Sequence, residues 1–194
     1  MKEIEGAALR VFVVRHGETA ESAGRSYSGR RDVPLTEHGR EQARRAGERL
    51  CDAGIDAIHS SPLGRAADTA RLIGEATGVP VRIDERLTEV DYGPLEGLDR
   101  EGARERFGRS YEAWREDPMG SPMPGAEPLP EALERARSAT AEAIAAGRCP
   151  VIVGHQGLLR LVLAALGQIA PDDYFKTRLE EADPIEIARP AVVW

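Results

Sequence analysis

Two short runs, apolar at almost every position, constrain the fold of this chain more than any other feature. Leu9-Arg10-Val11-Phe12-Val13-Val14 and Pro150-Val151-Ile152-Val153-Gly154 are rich in β-branched residues. They read as strands buried on both faces, as in a parallel sheet. Parallel strands need crossovers, and the intervening sequence supplies helices. Thr36 is a helix N-cap for a segment running to about Ala53. Asp56-Ala57-Ile58-His59 reads as a second strand, and Ser61-Pro62 as an N-cap and N1 proline opening a helix to about Thr77. Val79 to Leu87 is predicted as a third strand, Leu129 to Ala146 as an alanine-rich helix and Gly157 to Leu166 as an apolar helix. Ile185 to Trp194 is expected to hold one or two edge strands. This alternation predicts an α/β fold with a mostly parallel sheet covered on both faces.

Two stretches interrupt the pattern. Ala20 to Pro34 is a polar, glycine-rich loop. From Tyr92 to Pro130 glycine and proline are dense, with Tyr111 and Trp114 as the main apolar anchors. Residues 92–130 are expected to form an excursion over the carboxyl edge of the sheet, as a lid or substrate-specificity region. The whole chain, 1–194, is expected to be a single domain, a length sufficient for one well-buried core.

Charge narrows the partners. The net charge of −7 argues against nucleic acid, because phosphate-backbone binding wants a basic face. An anionic substrate must therefore meet a local basic pocket. No apolar run approaches the roughly 20 residues of a membrane span, and no signal-peptide pattern opens the chain. Cys51 and Cys149, far apart in the sequence, fit a reducing cytoplasm better than a disulfide framework.

The chemistry concentrates at strand ends. Arg15-His16-Gly17-Glu18-Thr19 follows the first strand directly, where open α/β sheets bind ligands. Arginine offers a planar fork for phosphate oxygens, and a neutral imidazole can act as a nucleophile. Gly17 lets the backbone approach an anion. His155, in Gly154-His155-Gln156-Gly157, repeats the placement of His16 on another strand. Arg65 lies in the first turn of the helix after the second strand, where free amides and the dipole favour an anion. A carboxylic acid after the third strand can protonate a leaving oxygen, and Glu89, Asp91 and Glu96 are all candidates by spacing. The competing use of His16 and His155 is metal binding, but no pair shows tight ligand spacing. His59 is expected to be a core or semi-buried histidine and His38 a solvated one.

Together, Arg15-His16-Gly17-Glu18-Thr19, Gly29 to Thr36 (GRRDVPLT), Ser60 to Thr69 (SSPLGRAADT), Glu89 to Gly97 (EVDYGPLEG) and Gly154-His155 resemble the histidine phosphatase superfamily, the phosphoglycerate mutase-like group. The resemblance implies a three-layer α/β/α sandwich and a reaction through a phosphohistidine, with no metal or cofactor. It implies His16 as nucleophile, Arg15 and Arg65 as phosphate clamps, His155 as the second pocket histidine and Glu89 as general acid. Ser22 and Gly29 are expected to contribute phosphate or substrate contacts. The substrate implied is a small phosphorylated metabolite.

Phosphatase and mutase are the main alternatives, and a non-catalytic phosphate-binding protein on this fold is a third. Where mutase-like members usually show Trp-Asn, this chain has Glu21-Ser22, and it lacks room for their longer insertion. Hydrolysis is the expected reaction. Tyr27-Ser28-Gly29 and Gly154-His155-Gln156-Gly157 resemble α-ribazole phosphatases and broad-specificity relatives. The acidic run Glu180-Glu181-Ala182-Asp183 reads only as a solvated turn.

Overall fold

The computed structural model describes residues 9–188. Its strands are Arg10–Arg15 (β1), Ala57–Ser60 (β2), Val81–Ile83 (β3), Pro150–Gly154 (β4) and Ile185–Ala188 (β5). They form one sheet of order β3-β2-β4-β1-β5, parallel except for the β1–β5 pair. The helices are Ala20–Ala23 (α1), Glu37–Leu50 (α2), Gly64–Thr77 (α3), Arg100–Glu116 (α4), Leu129–Ala146 (α5) and Gln156–Ala165 (α6).

Two separate cores explain why β1 and β4 are apolar throughout. Val11, Val13 and Ile152 point to one face, where they pack with Leu133 and Ala136 of α5 and Leu158 and Leu161 of α6. Phe12, Val14, Val151 and Val153 point to the other, against Ala46 and Leu50 of α2 and Ala66, Ala70 and Ile73 of α3. Alternate residues of a strand face opposite sides, so a central strand between two helical layers needs apolar residues at every position. The result is an α/β/α sandwich. Ala132, Ala136, Ala139 and Ala143 are all buried along one stripe of α5, and their small side chains let the helix lie close to the sheet.

Four local predictions need correction. Ser61-Pro62 does not open α3. The helix begins at Gly64, and Leu63 at its N-cap contributes no side-chain bond. The Ser61 hydroxyl is engaged elsewhere, as described below. The third strand is confined to Val81–Ile83, because the Asp84 side chain accepts the Arg86 N–H at 2.9 Å and starts a 3-10 turn, Glu85–Leu87. The loop from Ala20 contains α1, started by a capping box between Thr19 and Ser22. The 92–130 stretch contains α4, which Asp99 caps by accepting the Gly102 N–H at 2.8 Å. Its apolar stripe is narrow (Ala103, Phe107, Tyr111 and Trp114, among charged neighbours), and Gly108 kinks it at φ 47°. Tyr111 and Trp114 are buried, as anchors should be. The expected edge strand is Ile185–Ala188, and residues 189–194 lie outside those described.

Candidate active site

Sheet register alone brings the two histidines together. Arg15 of β1 is level with Gly154 of β4 in the parallel pair, so the next residues, His16 and His155, leave the sheet side by side. Their ring centroids are 5.2 Å apart. On the other side of β4, Ser60 of β2 is level with Val153, which sets Ser61 beside His155. The chain after β1 then passes hard against the start of α2. A Cβ on Gly17 would collide with the Gly39 carbonyl, so glycine is required there.

A hydrogen bond assigns the His16 tautomer. His16 Nδ1 lies 2.7 Å from the Gly17 carbonyl, which can only accept. Nδ1 therefore carries the proton and Nε2 keeps its lone pair. His155 Nε2 lies 2.7 Å from Ser61 Oγ, and that oxygen also accepts the Leu63 N–H at 3.2 Å. With one Ser61 lone pair taken, the hydroxyl can give its proton to His155 Nε2, an arrangement that makes His155 Nδ1 an N–H donor. Sequence reasoning treated Ser61 only as a cap. Its position at the end of the strand next to β4 is the signal that could have marked it.

Burial, then Arg15 and Arg65, hold the His16 imidazolium well below its ordinary pKa of 6.5. Burial, then Arg65, His16 and Arg15, do the same to His155. Both rings are therefore neutral at neutral pH, as a nucleophile must be. Stability is linked to this with a definite sign. Below pH 6.5 the unfolded chain takes up protons that the folded protein refuses, so stability is lost as pH falls. Each histidine contributes a slope of at most about 1.4 kcal/mol per pH unit. Urea unfolding between about pH 7 and about pH 5 should show a shallower loss in His16→Asn than in wild type. Equal slopes would contradict the assignment.

The arginines converge on the same point with donors to spare. Arg65 is 1% exposed, and its Nη1 and Nη2 donate to the carbonyls of Arg31 (2.6 Å) and Gly29 (2.7 Å). Arg15 Nη1 donates to Gln156 Oε1 (3.3 Å) and the Leu179 carbonyl (3.1 Å), while Nη2 pairs with Glu181 Oε1 at 3.1 Å. Arg15 Nε, Arg65 Nε and His155 Nδ1 are buried and have no partner among the described residues. Buried N–H groups are rarely left unpaired, because each costs about 1–3 kcal/mol. The three belong to residues that neighbour His16, through their charge or at 5.2 Å between ring centroids, and mark a candidate site for an oxyanion.

Glu89, 5% exposed, is a carboxylate that lines the same cavity as His16. Its Oε1 accepts from Val90 N (2.9 Å) and Leu158 N (2.8 Å), and Oε2 accepts from Gly157 N (3.0 Å). Two of these amides belong to the first turn of α6. Oε1 is thus fully engaged, while Oε2 keeps one acceptor position. A Cβ on Gly157 would strike the Tyr92 and Tyr174 hydroxyls and crowd Glu89, so this glycine keeps the α6 terminus open to the carboxylate. Asp91 instead caps Gly93 N at 2.8 Å, and Glu96 accepts Arg30 N at 2.9 Å. Neither lines the cavity.

A cavity of about 750 Å³ opens beside these groups, lined by Arg15, His16, Arg65 and Glu89 but not by the fully buried His155. Ser22 lies in its wall, but its hydroxyl proton goes to the Thr19 carbonyl at 3.0 Å. Gly29 is not in the wall and acts through its carbonyl, which holds Arg65. His38 is exposed and His59 is buried in β2. Among the described residues no three His, Cys, Asp or Glu side chains gather as a metal-holding group, and no helix is long and apolar enough to cross a membrane.

Known proteins resemble this chain in both sequence and fold. The chain is 40% identical over 153 residues to a probable phosphoglycerate mutase of Klebsiella pneumoniae, covering 76% of this chain and 69% of that protein. A mycobacterial glucosyl-3-phosphoglycerate phosphatase, solved with VO3, superposes with a TM-score of 0.84 at 32% identity, covering 96% of this chain and 98% of that one. An α-ribazole phosphatase from Shigella flexneri gives 0.81 at 27% identity, covering 95% and 96%. The sequence profile of the histidine phosphatase superfamily (branch 1) matches residues 11–189, and the chain belongs to that family of phosphatases and mutases.

Proposed function

We propose that this protein hydrolyses phosphate monoesters of small metabolites through a phosphohistidine on His16, with its own arginines supplying the positive charge. The observation that carries this reading is the convergence of the unpaired Arg15 Nε, Arg65 Nε and His155 Nδ1 around a histidine whose Nε2 is a lone-pair nitrogen. His16 Nε2 attacks phosphorus, the P–O bond to the leaving group breaks, and Glu89 delivers a proton to the departing oxygen from Oε2. The three donors neutralise charge on the equatorial oxygens. Water then attacks the phosphohistidine, gives its proton to Glu89, and the P–N electron pair returns to Nε2.

Tyr27, Phe175, Arg25, Arg100 and Arg115 line the outer cavity, and the Arg115 guanidinium stacks 3.8 Å over the Phe175 ring. Such a wall suits a leaving group larger than glycerate, with hydroxyl or anionic groups, such as a sugar phosphate or α-ribazole phosphate. Residues 92–130 supply part of it and act as the specificity region of a single domain. The 40% identity to a probable phosphoglycerate mutase favours a second reading, phosphoryl transfer between phosphoglycerates. Against it, Ser22 spends its proton on its own helix turn and Glu21 is paired with Arg31 at 2.9 Å.

Phosphate release in the presence of EDTA tests the proposal, using α-ribazole phosphate, 3-phosphoglycerate, sugar phosphates and p-nitrophenyl phosphate. Hydrolysis of at least one alkyl monoester is expected. Arg65→Lys should lower it by roughly 10²-fold or more, because a lysine cannot hold the Gly29 and Arg31 carbonyls and also chelate the phosphoryl group. A variant within about threefold of wild type would remove Arg65 from the clamp. Exchange between 2- and 3-phosphoglycerate without phosphate release would favour the mutase.

A further inference from the structure

The turn Glu180-Glu181-Ala182-Asp183 is not merely solvated, because it reaches into the phosphate site. The Ala182 N–H donates to the Arg15 carbonyl at 2.8 Å, which pins the turn against the end of β1. Asp183 pairs with Arg49 near the end of α2 at 2.5 Å. Ala182 is buried at φ 48°, in the left-handed region that alanine enters only when its surroundings hold it there. The turn is therefore fixed, and it aims Glu181 at Arg15. Their side chains are 18% and 13% exposed, and Glu181 lines the same cavity as His16.

Arg15 does not need Glu181 to hold it in place. Both Nη1 protons already go to Gln156 and the Leu179 carbonyl. Glu181 meets Nη2 as an ion pair and not in a hydrogen-bonding line, which leaves Nε and the Nη2 protons for a phosphoryl group. A phosphate on that edge would share Nη2 with a carboxylate of its own sign, within a few ångströms and partly shielded from water. Repulsion between like charges is strong under those conditions.

We propose that Glu181 sets how loosely the site holds phosphate, weakening retention of the dianion so that inorganic phosphate leaves after hydrolysis. The proposal rests on the phosphate site described above. Substrate and product carry the same charged group and feel the same repulsion. The substrate also has leaving-group contacts with the outer cavity, whereas inorganic phosphate has only the clamp. Glu181 therefore loosens both alike, and the product, which has no other contacts to hold it, is the one left weakly retained.

Calorimetric titration with inorganic phosphate tests this in wild type, Glu181→Gln and Glu181→Thr at one pH and ionic strength. Both variants remove the charge, and only glutamine keeps the shape. Both should bind phosphate at least about tenfold more tightly, equivalent to ~1.4 kcal/mol, and product inhibition should strengthen in parallel. Unchanged or weaker binding in the variants overturns the proposal and makes Glu181 a support for Arg15, leaving the phosphate site intact. Absence of phosphate binding in wild type and both variants overturns the site itself, and the proposal with it.

Discussion

His16→Ala should abolish turnover while the protein remains folded. Among the described residues the His16 ring makes a single hydrogen bond, to its own neighbour Gly17, and sits at the end of the sheet and not between the two cores. Its truncation should cost no more than the ordinary 0.5–3 kcal/mol of a point substitution. The functional loss is of another order. Without Nε2 the phosphoryl group has no acceptor in the pocket, and removal of a covalent nucleophile typically costs on the order of 10⁴–10⁶-fold in kcat. Steady-state phosphate release on the best alkyl monoester, paired with thermal unfolding, reads both quantities. Retention of more than a few per cent of activity by a folded variant would rule out a covalent route through His16.

Glu89→Gln should have an effect that depends on the leaving group. Alkyl phosphates depart as strongly basic alkoxides and need a proton in the transition state, whereas p-nitrophenolate leaves unaided. Phosphorylation of His16 by an alkyl monoester should slow by roughly 10²–10⁴-fold, the usual size of general acid catalysis. The pre-steady-state burst with p-nitrophenyl phosphate should fall far less. The burst is the proper readout because the proposed mechanism also uses Glu89 as base in the second step, so its loss would slow steady-state turnover for every substrate. Glutamine is isosteric, but its amide nitrogen cannot accept hydrogen bonds. One of the two carboxylate positions facing Leu158 N and Gly157 N would lose its bond, so the variant must be shown to fold. If Asp91→Asn shows the leaving-group dependence instead, the acid is Asp91, despite its role in holding Gly93 N.

The sequence made the sandwich and the position of the site legible for a definite physical reason. A strand buried on both faces is conspicuous, and residues that follow two such strands must meet if the strands are parallel neighbours. What pattern and spacing leave open is which strands are neighbours. Ser61 was hidden for that reason, since its contact with His155 depends on β2 lying next to β4. Glu181 was hidden because its approach to Arg15 depends on a left-handed alanine in a short turn. Spacing alone could not separate Glu89 from Asp91 and Glu96, although the family resemblance pointed to Glu89. In the fold Glu89 lines the cavity and meets the α6 amides, and the other two do not line it. Helix α4 failed to register because its apolar stripe is narrow and its charged residues are many.

The central claim is a covalent phosphoenzyme on His16, and a rapid-quench experiment with a ³²P-labelled monoester tests it most directly. Quenched in alkali and mapped to peptides, the wild type should carry label on His16 that survives base and is lost in acid, the stability of a phosphoramidate. The label should appear in the burst phase and decay at the rate of turnover. Turnover without label on His16, or with label on another residue, would contradict the account.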